Sequence, residues 1–525
     1  MRKITLKSAL VIVTACFIAA AAIPTIKITT QNNQEPQATQ GGGYPGGSYK
    51  VFTYVGITKF ELTDPNNPQN DFTGNSVEDS IRGRGNSTWD QAKKPYRVRF
   101  GKKTSLFGKE AAKSWVLLAN YYDTTFALNA IAFRLGQKMG LHGTPTSQFA
   151  DLYLNGSYKG IFQITEQVQT NPGRVDIDKN LGWLVEFDYH SPAPKDIHFT
   201  TNQYQLTTFI KSPEDLPDQS GYDFVKREVN ELCDSLYSNN FPNNGYRELV
   251  DLESFAKYIL IQQLMDNFDF NSKIQDGGLP GSNFAYKDFG GKIHAGPLWD
   301  FDLAAGVLPP SGMMQNYPTH YATATDSIRP RHPFYQRFFQ DEVFLAKFKK
   351  AWDNHQNDFN AIPAFIDSIA NLLSDRVVDN FSSYSGGGVC FPPFCGGGAG
   401  TPMTVDIYKQ EIQKLKNWWN LRMQHFTQEI NKMNIDTGKD LPSSVAARTK
   451  FANGKKVVAV KNYINLRAAA NASVKVFGLN GREVRSMKFS KGNHSIRLGD
   501  LPAGVYMVKA AVDGERHVLR VSVRR

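Results

Sequence analysis

The stretch at residues 266–306, DNFDFNSKIQDGGLPGSNFAYKDFGGKIHAGPLWDFDLAAG, sets the strongest constraint on what this chain can fold into. Its carboxylates and amides stand at the ends of short apolar runs, where flanking strands can hold several oxygens rigid and aim them at one cation. Just upstream, residues 252–265 have the apolar spacing of a well-packed helix, which delivers residues 266–271 to its C-terminal end. Residues 282–286 and 293–299 predict the two strands of a hairpin that ends at Asp300-Phe301-Asp302. Chemistry is expected here.

At 525 residues the chain is too long for one ordinary core, so a large domain and at least one smaller one are expected. Residues 1–22 combine a basic start (Arg2, Lys3, Lys7) with a short alanine-rich apolar run, which reads as a signal peptide and leaves no membrane span in the mature protein. Val13-Thr14-Ala15-Cys16 offers an alternative, lipidation at Cys16. Residues 23–48, rich in Gln, Asn, Gly and Pro, predict a flexible linker, with order beginning near Tyr49. Residues 49–435 mix strand and helix signals in an α+β pattern, residues 436–450 read as a second linker, and residues 451–525 change character. Short alternating strands there, such as those at 473–477 and 505–509, predict a small all-β immunoglobulin-like sandwich.

Within the large domain, strands near 50–55 and 96–100 flank Arg82-Gly83-Arg84-Gly85-Asn86-Ser87-Thr88-Trp89 and Lys93-Lys94-Pro95. This segment is either a cradle for an anion or a hairpin carrying solvated charges. Residues 123–140 predict a helix with Asp123 as N-cap and Gly140 as stop. The Asn155-Gly156 turn predicts a hairpin that ends at Glu166, and helices are expected to dominate residues 333–433, with Trp418 and Trp419 as core anchors. In an oxidising compartment Cys390 and Cys395 suit a small-loop disulfide, and Cys233 reads as a buried apolar residue. The net charge of +11 favours anionic partners, but the basic residues are dispersed, so no nucleic-acid partner is expected.

Several of these segments together, R-G-R-G-N-S-T-W with K-K-P-Y-R-V-R-F, S-W-V-L-L-A-N-Y-Y-D, Y-L-N-G-S-Y-K-G-I-F-Q-I-T-E-Q-V and G-P-L-W-D-F-D-L-A-A-G, resemble the spore coat protein H (CotH) kinase-like family. The resemblance implies an atypical protein-kinase-like fold and transfer of the ATP γ-phosphate, with Mg²⁺ or Mn²⁺, to Ser, Thr or Tyr hydroxyls of secreted or surface proteins. Carried over by motif, Asp269 looks like the catalytic aspartate, Asp300 and Asn283 like metal ligands, and Lys94 and Glu166 like the phosphate-binding lysine and its carboxylate partner, with Arg84 near the phosphates. A rival register, Asp266 with Asn271, has the kinase spacing D-x-x-x-x-N. The family often has Arg-Asn in the helix where this chain has Leu128-Asn129, a departure from the family's pattern. Residues 476–482 and 501–509 and the terminal Val-Ser-Val-Arg-Arg resemble the sorting domains of type IX secretion substrates, which implies export to the outer surface or beyond.

Two other functions fit the same residues. One is a non-catalytic surface protein that reuses the fold for adhesion or as part of an extracellular polysaccharide-degrading assembly. The other is a glycoside hydrolase, although no motif selects a pair of acids.

Overall fold

The computed structural model describes residues 22–41, 49–179, 182–190, 192–193, 195–213, 219–271, 281–306, 324–385, 388–389, 401–440, 457–460, 463–478 and 481–523. The predicted signal segment, Cys16, Cys390 and Cys395 lie outside the described residues.

The segment TIKITT places isoleucines at alternate positions among β-branched threonines, a pattern suited to a half-buried strand. Thr25–Thr30 is accordingly a strand, with Ile26, Ile28 and Thr30 buried. It pairs antiparallel with Val55–Thr63, Ile26 opposite Leu62, and parallel with Ser147–Leu154, Ile26 opposite Leu152. The ring continues through Ser157–Glu166, Ala112–Leu118, Tyr96–Thr104 and Ser80–Gly83 and returns to Val55–Thr63. Seven strands thus close a barrel, and Phe72–Gly74 hangs on its outside edge. Closure removes unpaired strand edges, and a barrel this narrow is filled by its own side chains. Here these include Ile28, Phe60, Val98, Trp115, Leu152 and Phe162.

This arrangement corrects the expected flexible linker at residues 23–48. Its first residues complete the barrel, and Ala38–Gly41 pairs with Tyr49–Phe52 in a hairpin. The polar composition downstream of Thr30 concealed a six-residue strand whose apolar positions are only two.

Below the barrel a second sheet runs in the order His198–Thr200, Thr207–Ser212, Trp183–Phe187, Asn283–Lys287, Ile293–Ala295. It packs with Leu252–Leu264, a helix buried on all faces except at Glu253 and Lys257, as expected of a helix at the centre of a large domain. Asp251 caps it, accepting a hydrogen bond from the Ser254 N–H at 2.8 Å. Leu128–Lys138 lies beside it. Asp123 supports that helix from a distance, its carboxylate accepting from the N–H groups of Thr125 (2.9 Å) and Leu128 (2.8 Å). Gln219–Tyr237, Glu342–Asn354, Ile362–Leu373, Val377–Ser385 and the long Val405–Lys432 are further helices of this domain, with Trp418 and Trp419 buried as expected. The barrel keeps its own core while helices and second sheet share another.

The second expected linker is anchored at its start, where Asp440 pairs with Lys347 (2.6 Å) and Lys350 (2.7 Å); residues 441–450 lie outside the described residues. The C-terminal module is a sandwich of a three-stranded sheet (Val457–Val460, Tyr463–Ala468, Gly492–Arg497) and a four-stranded one (Glu483–Phe489, Ala472–Gly478, Gly504–Val512, Glu515–Val523). Cys233 is fully buried, which pushes its thiol up to about 12 and leaves it unreactive.

If Thr25–Thr30 belongs to the barrel, Ile28→Ala should lower the denaturant stability of the large domain by roughly 2–5 kcal/mol. A tether residue would leave the unfolding midpoint unchanged.

Candidate functional site

A cavity of about 550 Å³ opens between the barrel and the second sheet. Arg84 enters it from the barrel side, on a turn that follows Ser80–Gly83. Two glycines are required there: a Cβ at Gly83 would collide with the Trp89 ring, and Gly85 has φ +80° with Thr88 close against it. The Arg84 guanidinium lies over the Trp299 ring, 5.4 Å from its centroid. Burial pushes its pKa down, and Asp300, with Asp302 behind it, pulls the other way.

The opposite wall is acidic. Asp269 stands in the short helix Phe268–Asn271 that follows Leu252–Leu264 across a reversal at Asp266, φ +46°. Asp300 follows the hairpin, in left-handed backbone at φ +63°. The two loops are stitched together. Phe268 N–H donates to the Leu303 carbonyl at 3.3 Å, Ala305 N–H to Met265 at 2.7 Å, and the Asn267 amide to Asp300 at 3.2 Å. The Phe301 N–H donates to Asn129 Oδ1 at 2.9 Å, and the Asn120 amide reaches Gln163 of the barrel at 2.9 Å. Asn129 thus keeps its place in the helix, while Leu128 is packed into the core.

Of the residues expected from sequence, Arg84, Asp269 and Asp300 meet in this cavity. Lys94, Glu166 and Asn283 do not line it. Lys94 lies over the Trp89 ring and donates to the Trp89 carbonyl at 2.5 Å. Glu166 accepts from Thr146 N–H (2.8 Å) and Oγ1 (2.7 Å), so the two do not form the expected pair. The Asn283 amide is turned into the core, donating to the Gly281 carbonyl at 3.0 Å and accepting from the Tyr258 hydroxyl at 2.8 Å. Its neighbour Ser282, φ +51°, reaches the site instead and donates to Asp300 Oδ2 at 3.0 Å. Asp266 lies outside the cavity, on the side of the buried Arg422; the Asn271 side chain lies outside the described residues.

The site also recruits residues that sequence reasoning missed. Asp188, at the end of Trp183–Phe187, accepts from Ser282 N–H at 3.2 Å and pairs with the His190 ring. Asp302 lines the cavity beside Asp300. The available signal was position: Asp188, like Asp300, is an acid just beyond a strand's apolar run.

Six carboxylates line the cavity, and Asp188, Asp269, Asp300 and Asp302 act on one another within it; Arg82, Arg84, Arg97, Lys195 and Lys211 line it as well. Burial, then the charges of Asp300 and Asp188, push the Asp269 carboxyl up to about 7. Burial and the charges of Asp300 and Asp269 likewise raise Asp302 well above the usual carboxylate range. Burial would lower His190, but Asp188 and Glu186 overcome it and hold the imidazolium to about 9. Lys211 lines the same cavity and is paired there with Glu186, 2.5 Å away.

The oxygens of Asp269, Asp300 and Asp302 suit a hard divalent cation. Among the described residues no three His, Cys, Asp or Glu form a ready-made cage. Mg²⁺ usually takes only one or two carboxylates and completes its shell with substrate phosphates and water, so Asp300 and Asp302 fit it.

Comparison with known families places residues 81–426 in the family described as CotH kinase protein. Residues 460–524 match the secretion system C-terminal sorting domain. No curated protein matches the chain.

Between the ordinary aspartate value of 3.8 and about 7, the folded state holds a proton on Asp269 that the unfolded chain has released. Its contribution to stability is full below about pH 4, falls as pH rises, and is lost above about 7. Urea denaturation over this range should show a shallower decline in Asp269→Asn, by up to roughly 4 kcal/mol in total. Equal slopes would mean that Asp269 is well solvated.

Proposed function

This chain belongs to the CotH kinase family, and from that premise we propose that it is an exported, metal-dependent phosphotransferase that moves the ATP γ-phosphate to hydroxyl side chains of extracellular or surface proteins. The sorting domain marks it for type IX export to the cell surface or beyond. Among the described residues no helix is long and apolar enough to cross a membrane. The observation that carries the proposal is the convergence of Asp269, Asp300 and Arg84 in one cavity, with the two acidic loops locked together by main-chain hydrogen bonds.

Phosphoryl transfer depends on positioning and on charge stabilisation more than on covalent participation by the protein. Asp269 orients the acceptor hydroxyl and takes its proton. Arg84, half-buried and backed by Trp299, faces the phosphates in the part expected of Lys94; its planar fork suits phosphate oxygens in a way a lysine does not reproduce. A divalent cation, when bound, screens the phosphates. Asp300 and Asp302 would hold it, in place of the expected Asp300 and Asn283. Asn283 and Ser282 act one step back, fixing the strand end from which Ser282 steadies Asp300.

Calorimetry with ATP should show binding that needs Mg²⁺ or Mn²⁺. Asp300→Asn, which tolerates the left-handed backbone, should abolish the metal-dependent part. Asp269→Asn should keep binding but slow transfer by roughly 10²–10⁴-fold. Absence of nucleotide binding with either metal would overturn the proposal.

A further inference from the structure

The space beside Asp269 is not empty of hydroxyls. Tyr189, next to Asp188, places its hydroxyl 3.3 Å from Asp269 Oδ1, and its ring lines the same cavity. The ring is held on two sides. It stacks on His190 with centroids 5.0 Å apart and planes 9° from parallel, and His190 is itself fixed by Asp188. On its other flank a Cβ at Gly281 would come 2.6 Å from Tyr189 Cε1, so the seat exists only because residue 281 has no side chain. A phenol that merely buttressed Asp269 would be buried with it, yet Tyr189 is 43% exposed while Asp269 is 9% exposed. The hydroxyl thus occupies the place of an acceptor, on a side chain with room to leave.

We infer that Tyr189 is an internal acceptor, phosphorylated in cis by this site. The inference rests on the phosphotransferase reading and names its first substrate, a phenol of the same chain. In the step, Tyr189 Oη bonds to the γ-phosphorus of ATP and the bond from that phosphorus to the bridging oxygen breaks. The electron pair leaves with ADP, and the phenolic proton passes to the Asp269 carboxylate. The product phosphate, about −1.5 to −2 in charge, is repelled by Asp269 and Asp300, so the modified ring leaves its seat and opens Asp269 to an external hydroxyl.

The full chain, incubated with ATP and Mg²⁺, is expected to carry phosphate at Tyr189 by mass spectrometry, at a rate independent of protein concentration. Asp269→Asn should slow the labelling by roughly 10²–10⁴-fold. Without nucleotide or metal, the ring-carbon resonance of Tyr189 in ¹³C-tyrosine-labelled protein, assigned by its loss in Tyr189→Phe, should shift in Asp269→Asn. A resonance that does not move overturns the inference. So does a chain that binds ATP and labels an added acceptor while Tyr189 stays unmodified, a result that leaves the proposed function standing. Failure to bind ATP overturns both.

Discussion

Bringing buried carboxylates together is costly, because each loses water and repels the next. Asp188, Asp269, Asp300 and Asp302 face one cavity, and much of the surrounding structure can be understood as what keeps them there. Packing alone cannot do so, since a carboxylate free to rotate would turn to solvent. The restraint comes from backbone: left-handed residues at Asp266, Ser282 and Asp300, held respectively by the Gln263 carbonyl, the Asp188 carboxylate and the Asn267 amide. Conformations of this kind cost about 1–3 kcal/mol apiece and persist where the surroundings over-determine them. Asn129, Asn267 and Asn283 supply that determination, each with a side-chain amide bonded to main chain.

Those asparagines also explain how a helix, a hairpin and a barrel act as one frame. Asn267 joins the end of the central helix to Asp300, and Asn129 and Asn120 carry the Phe301 turn toward Gln163 of the barrel. Arg84, on the barrel side, consequently has a fixed position relative to acids that belong to the other layer. The geometry of the charges is thus set by neutral amides that bear none themselves.

Legibility in the sequence followed how local the determining physics was. The hairpin at Asn155-Gly156, the central helix and the seven-stranded C-terminal sandwich depend on periodicity and turn chemistry, and each stands where the pattern placed it. Asp269, Asp300 and Arg84 were legible because motif order carries through to one cavity. Lys94 and Glu166 were not, because direction is a tertiary matter: Trp89 offers Lys94 a π face and a carbonyl, and Thr146 offers Glu166 two donors. Asn283 heads the expected strand, yet strand alternation turns its amide toward Tyr258 and gives the site to Ser282. Asp188 escaped notice because its importance lies in a serine nearly a hundred positions away, at 282. Barrel closure by Thr25–Thr30 was hidden by the polar composition that follows it.

That closing strand has a consequence for the order of folding. Thr30 donates its N–H to the Asn155 side chain, 125 residues further along the chain, and its parallel neighbour Ser147–Leu154 lies equally far off. A contact of such length is slow to form, since loop entropy must be overcome before any pairing energy is returned. The antiparallel partner Val55–Thr63 lies far nearer in sequence and can hold Ile26 and Ile28 early, so the step left for last is the parallel seam with Ser147–Leu154. Barrel closure becomes a built-in delay between synthesis and the moment when Arg84 can face the acids.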